Sequence, residues 1–133
     1  MKHETDTTVR FCETDAAGHV NNTSYFIYLE EARGRFFQSN LENYQTFGRF
    51  IIASTKCDFL SQAYFNQQLI ISTWISKIGT KSFQFKHEIK AKDTGVSIAE
   101  AEAAIVYFNY EEQKSEPIPE DVRKRLEGQL VTS

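Results

Sequence analysis

The sequence predicts an α+β fold in which one long helix lies against an antiparallel sheet. Three observations carry this. A single sixteen-residue stretch, residues 23–38, sets apolar side chains at helical spacing. Four later stretches are β-rich or alternate in polarity and follow one another without an intervening helix. One short strand precedes the helix. Successive strands without crossover helices imply antiparallel pairing, and one apolar helix on such a sheet is an α+β arrangement.

In chain order, residues 6–13 alternate loosely, with Val9 and Phe11 directed one way and Arg10 and Cys12 the other, and predict the first strand. Residues 14–22 break the pattern with Gly18 and several capping types, and predict a loop. Asn21, Asn22 and Thr23 are N-cap candidates, because their side-chain oxygens accept from the free N–H groups of a first turn. The helix over 23–38 carries Tyr25, Tyr28, Leu29, Ala32 and Phe36 on one stripe. Its first half is apolar nearly all round, as in a helix buried against a sheet.

Residues 40–48 are irregular. A strand follows over 49–59, with Phe50, Ile52 and Ser54 on one side and Ile51, Ala53 and Cys57 on the other. Residues 69–78 form the next strand, 78–81 a turn and 82–91 the cleanest alternation, with Phe83, Phe85, His87 and Ile89 facing one way. A hairpin turn at 92–95 leads into 96–110. There the alanines favour helix, but the strict alternation of Ala99, Ala101 and Ala103 with Glu100 and Glu102, just after a hairpin turn, decides for strand. A short polar helix over 119–127 closes the chain.

With 133 residues, 41% of them hydrophobic and 11 Phe among them, the chain is sized and composed for one domain over residues 1–133. A net charge of −3 lacks the basic excess of a nucleic-acid binder. Two cysteines do not make a disulfide framework, the polar amino terminus lacks a signal-peptide core, and no stretch nears the ~20 apolar residues of a membrane span. The expected compartment is the cytoplasm. The scattered His and Cys give no metal-ligand spacing, and no glycine-rich phosphate loop follows a strand, so no metal or nucleotide cofactor is expected.

The chemistry concentrates in residues 13–26, where a strand ends and a buried helix begins. A helix start offers unpaired N–H groups and partial positive charge, which can hold an oxyanion forming on an attacked carbonyl. A carboxylate nearby can attack that carbonyl or activate a water. Asp15 precedes Asn22 by seven residues, close enough for the loop to fold back over the helix start, and Gly18 permits a tight turn.

The Asp15–Gly18–Asn22–Tyr25 arrangement resembles the signature of the 4-hydroxybenzoyl-CoA thioesterase family of hotdog proteins, and the likeness runs through Phe36, the Gly79 turn and the last strands. The resemblance implies a hotdog fold, an antiparallel sheet wrapped around one central helix, with two protomers paired edge to edge. It implies an acyl-CoA thioesterase in which Asp15 is the catalytic nucleophile or general base and the backbone N–H near Asn22 polarises the thioester carbonyl. Gly18, His19, Asn22 and Tyr25 are the expected substrate-binding residues. The partners so implied are an acyl-CoA substrate, with acyl carrier protein as an alternative thiol carrier, and a second copy in a homodimer or homotetramer. The chain departs from the pattern at two points: Asn22 stands where some branches carry a His seven residues after the Asp, and Leu60–Ala63 lacks the Pro common after the second strand.

Against these stand plainer readings. Asp15 is a good turn former, His19 an ordinary loop residue, His87 a hydrogen-bonded structural residue, and Cys12 a buried thiol. Glu30 and Glu31 fit an exposed helix face, pairing with Arg33 or Arg35. Lys77, Lys81 and Lys86 fit either a solvated edge or contacts to CoA phosphates. The functional alternative to an enzyme is a non-catalytic acyl-CoA or acyl-carrier binding module on the same fold. A hotdog dehydratase would need a second acid–base residue that the sequence does not display.

Overall fold

The computed structural model describes residues 2–40 and 49–131. The elements are β1 (His3–Thr8), a 3₁₀ turn (Phe11–Glu13), α1 (Asn22–Asn40), β2 (Phe50–Phe59), β3 (Gln68–Ile78), β4 (Ser82–Ala91), β5 (Ser97–Asn109), β6 (Lys114–Ser115) and α2 (Glu120–Glu127). The strands form one sheet in the order β1–β3–β4–β5–β2, every pair antiparallel, with β6 added to the end of β5. The segment 96–110 is strand, as its alternation predicts.

Alternation places Leu69, Ile71, Thr73 and Ile75 of β3, Phe83, Phe85, His87 and Ile89 of β4, and Ala99, Ala103 and Ile105 of β5 on one buried face. The helix α1 lays Tyr25, Tyr28, Leu29, Ala32 and Phe36 against that face. The small alanines of β5 leave room for the helix, and Leu29 and Phe36 are fully enclosed. Truncating a buried Phe to Ala typically costs about 3–5 kcal/mol. The core divides along the helix. Near its start, Val9, Val20, Tyr25 and Leu29 pack on Leu69, Ile71 and Ile89. Near its end, Phe36 and Phe37 meet Phe83, Phe85 and Ile105, closed off by Val122 and Leu126 of α2. The rings of Phe36 and Phe85 meet edge to face at 5.0 Å. These phenylalanines are core.

Several expectations need correction. The first strand lies at His3–Thr8, not at 6–13, because Phe11–Glu13 wind into a turn closed by the Glu13 carboxylate on Arg10. Val9 is buried while Phe11 is 74% exposed, so the two do not share a face. Cys12, in that same turn, is exposed instead of buried. The two sides of β2 exchange partway along it, because the pairing with β5 skips Ala53. Phe50 and Ile52 pair with inward Tyr107 and Ile105, and beyond the skip Thr55, Cys57 and Phe59 take the inward face. β2 and β3, though consecutive, do not pair: residues 60–67 carry the chain across to the other side of the sheet. The helix is one-sided, with Ile27 exposed. Most of the irregular segment 40–48 lies outside the described residues.

Two charged helix residues part company. Arg35 reaches exposed Glu31, Nε to Oε2 at 3.8 Å. Arg33 turns inward, is buried, and brings Nη1 to 3.5 Å from His87 Nε2. Because a guanidinium only donates, His87 accepts there with Nε2 and carries its proton on Nδ1, which donates to Thr73 Oγ1 at 3.0 Å. His87 is therefore the structural residue its position on the strand suggests.

Candidate active site

The loop before α1 is a closed hook. Thr14 and Val20 form a β-bridge at its base, and Asp15 N–H donates to His19 O at 2.8 Å. Gly18 N–H donates to Asp15 O at 3.0 Å, with Gly18 at φ +85°, a conformation that only glycine adopts freely. Asp15 Oδ1 accepts from Ala17 N–H at 2.8 Å and from His19 N–H at 3.3 Å. One carboxylate oxygen is thus held by the hook's own backbone, and among the described residues Oδ2 has no donor. The side chain is exposed. Asp15 is a turn former and at the same time an oriented carboxylate with one oxygen free.

The hook is anchored by a residue the sequence reading passed over. Glu13 is buried and takes hydrogen bonds from Arg10 N–H at 2.8 Å, Arg10 Nη2 at 2.9 Å and the Tyr28 hydroxyl at 2.8 Å. Its carbonyl accepts from Asn21 N–H at 3.0 Å, which fixes the hook to the helix start. Burial alone pushes the Glu13 carboxyl up, but the donors from Arg10 and Tyr28 outweigh it and hold it below the usual carboxylate range. Burial and the Glu13 charge push the Tyr28 phenol well up, so it stays protonated and donates. The Arg10–Glu13 spacing of three was the available signal.

Of the three N-cap candidates, Asn21 is the one used: its Oδ1 accepts from Ser24 N–H at 2.9 Å. Among the described residues the Asn22 and Thr23 N–H groups have no acceptor, so the first turn keeps donors to offer. Asn22 and Tyr25 line a recess of about 400 Å³ together with Val20, Phe59, Leu60, Ser61 and Gln62. Tyr25 closes its inner side, ring to ring with Phe59 at 5.1 Å. Burial raises the Tyr25 phenol above its ordinary value.

The expected residues therefore fall into two groups. Asp15, Gly18 and His19 form the hook; Asn22 and Tyr25 line the recess. Val20 joins them, walling the recess while its N–H donates to Ala63 O at 2.9 Å. The walls Phe59–Gln62 were not legible, because they come from the far end of β2. Lys81 sits at the β3–β4 turn with Lys77 nearby, at the opposite end of that hairpin from Leu69 and Ala91, which pack beside Val9 and Val20. Lys86 lies beside Trp74 and Glu102 on the outer face of the sheet. Within the chain, Lys77 and Lys81 thus lie at the other end of the sheet from the hook and Lys86 on its outer face. Cys57 is half-buried, its thiol pushed up to about 11 by burial, and then by Asp58. Among the described residues no His, Cys, Asp or Glu cluster could hold a metal ion, and no helix is long and apolar enough to cross a membrane.

Residues 9–126 match the Thioesterase-like superfamily. The solved structure of a predicted thioesterase from Bacillus stearothermophilus superposes with a TM-score of 0.90 at 30% identity, covering 100% of this chain and 99% of that one. The long-chain acyl-CoA thioesterase FadM of Escherichia coli is 26% identical over 131 residues, 93% of this chain and 96% of FadM. The protein YsmA of Bacillus subtilis is 43% identical over 77 residues, and that match spans 56% of this chain and about half the length of YsmA, 51%.

Proposed function

Because the chain belongs to the Thioesterase-like superfamily and has the hotdog fold, we propose that it hydrolyses an acyl-CoA thioester to a carboxylic acid and CoA, with Asp15 as its catalytic carboxylate. The observation that carries the residue assignment is the division of labour on Asp15. Oδ1 is tied down by Ala17 and His19 N–H, and Oδ2 is left to react.

The acyl carbonyl would sit at the start of α1, its oxygen toward the Asn22 N–H and its carbon toward Asp15. Oδ2 either attacks that carbon or takes a proton from the water that does. Negative charge gathers on the carbonyl oxygen, where the N–H and the positive end of the helix stabilise it. The C–S bond then breaks and the thiolate leaves, to be protonated as CoA thiol. On the direct route, water afterwards hydrolyses the acyl–Asp15 anhydride. Asn22 has no acid–base chemistry near neutral pH, so it does not supply an Asp–His pair by that route. The recess behind Asn22, with Tyr25, Phe59 and Leu60, supplies apolar walls for the acyl part. Acyl-CoA as substrate class is supported by the name of FadM, similar to this chain over nearly its whole length.

The test is thiol release from a panel of acyl-CoAs by wild type and Asp15→Asn. Asparagine keeps an Oδ1 that Ala17 and His19 can donate to, so the hook survives while the charge and the free oxygen are lost. We expect an unchanged melting temperature and a fall in kcat of about 10²–10³ or more, a loss as large as that of an oxyanion donor. Wild-type turnover by a folded Asp15→Asn protein sinks the assignment. Ligand-induced thermal stabilisation with no thiol release by wild type would favour a binding module instead.

A further inference from the structure

We propose that Tyr64 is a positioning residue for Asp15, acting through His19; this rests on the reading of Asp15 given above. The tip of the hook is closed by its own backbone bonds but is not packed into the core, since Asp15, Ala16, Ala17 and Gly18 are all exposed. Beside the Ala17 N–H, the His19 backbone holds Asp15 at two points, its N–H donating to Asp15 Oδ1 and its O accepting from Asp15 N–H. His19 in turn leans outward on Tyr64. The two residues form a β-bridge, and their rings meet at 5.2 Å, nearly perpendicular at 75°.

Tyr64 itself stands on a rigid seat. Its N–H donates to Gln67 Oε1 at 3.0 Å and its O accepts from Gln67 N–H at 3.1 Å. Asn66, at φ +68°, donates its N–H to Val9 O at 2.8 Å, and Val9 N–H returns a bond to Gln67 O at 2.9 Å. A turn clamped to the core thus presents one half-exposed ring to the residue that holds Asp15. The Tyr64 hydroxyl takes no part in this; the ring does.

Reacting groups lose rate steeply when misplaced by an ångström. Tyr64→Leu, which keeps bulk but loses the ring, should lower kcat on an acyl-CoA about ten-fold while KM stays within about two-fold. Tyr64→Phe should match wild type. By NMR, the His19 ring protons should lose their ring-current shift, and the Ala17 and His19 amide signals should move, in Tyr64→Leu alone. Wild-type kcat in Tyr64→Leu, equal losses in both variants, or amide signals that stay put in Tyr64→Leu would each overturn the proposal. Undiminished activity in Asp15→Asn would strike at the catalytic reading instead, and the amide signals would still report whether Tyr64 sets the hook.

Discussion

Glu13 is the residue on which the hook depends most. It is an acid in a buried place, tolerable because every donor around it points inward: Arg10 through its backbone and guanidinium, Tyr28 through its hydroxyl. Glu13→Ala would leave the Tyr28 hydroxyl buried without an acceptor, a cost of about 1–3 kcal/mol. It would also remove the hook's side-chain tie to the helix through Tyr28, leaving only the backbone bond from Asn21 N–H to the residue 13 carbonyl. The expected result is a lower urea midpoint with unchanged m, together with reduced turnover. The carboxyl is held below its unfolded value, so its contribution is present above that value, ordinarily about 4.3, and is lost as pH falls through the folded one. His87 adds a second loss of stability on the acid side, over a higher pH window. Burial, then the Arg33 charge, lowers it to about 3, against about 6.5 in an unfolded chain. The folded imidazole refuses a proton that the unfolded one accepts. Its contribution is therefore complete above about pH 6.5 and shrinks as pH falls toward 3, by up to about 1.4 kcal/mol per pH unit. His87→Gln, which keeps an acceptor for Arg33 and a donor for Thr73, should flatten the unfolding free energy across that window, read by denaturation at a series of pH values.

At the scale of elements, the helix start is where stability and chemistry share atoms. Asn21 caps α1 by accepting from Ser24 N–H, which leaves the Asn22 and Thr23 amides as the outward donors. Asn21→Ala should cost about 1 kcal/mol of stability and lower kcat more than it raises KM, since a frayed first turn no longer aims its N–H groups. Differential scanning calorimetry beside steady-state kinetics checks both. The elements most legible in sequence were those whose period was strong and uninterrupted: 82–91 matches β4 residue for residue, and the stripe from Tyr25 to Phe36 is the buried side of α1. The misplaced ones share a physical cause. A side chain closing on its own backbone, Glu13 on Arg10, turned the supposed end of a strand into a 3₁₀ turn. One unpaired residue, Ala53, exchanged the faces of β2. Both are local departures from a regular period, and a period is what a sequence pattern reports.

Considered as a whole, the molecule has a site assembled from distant pieces. The Asp15 hook was legible because a carboxylate, a glycine and a helix cap lie within a dozen residues. The recess was not, because Phe59–Gln62 reach it only through the sheet order, which puts β2 at the outer edge beside β5. That edge is the molecule's unusual surface. The opposite edge, β1, is short and carries Glu4 and Asp6, charges of the kind that discourage strand addition. β2 is ten residues long, opens with Phe50-Ile51-Ile52-Ala53, and bears no charge until Lys56. A long apolar edge with its N–H and C=O groups unpaired is a template for another strand, and an identical β2 running antiparallel satisfies it by two-fold symmetry. Such a pairing would bring the Phe50 end of one copy beside the Phe59 end of the other, so that each recess would gain a wall from the second chain and Phe59 and Ile52, exposed in the single chain, would be covered. Sedimentation should accordingly give twice the 15.4 kDa of a single chain. Ile52→Lys, which turns a charge inward at the open edge, should yield a folded monomer whose KM for acyl-CoA rises while its far-ultraviolet circular dichroism is unchanged. A wild-type protein that sediments as a monomer at full activity would show that one chain completes the site alone.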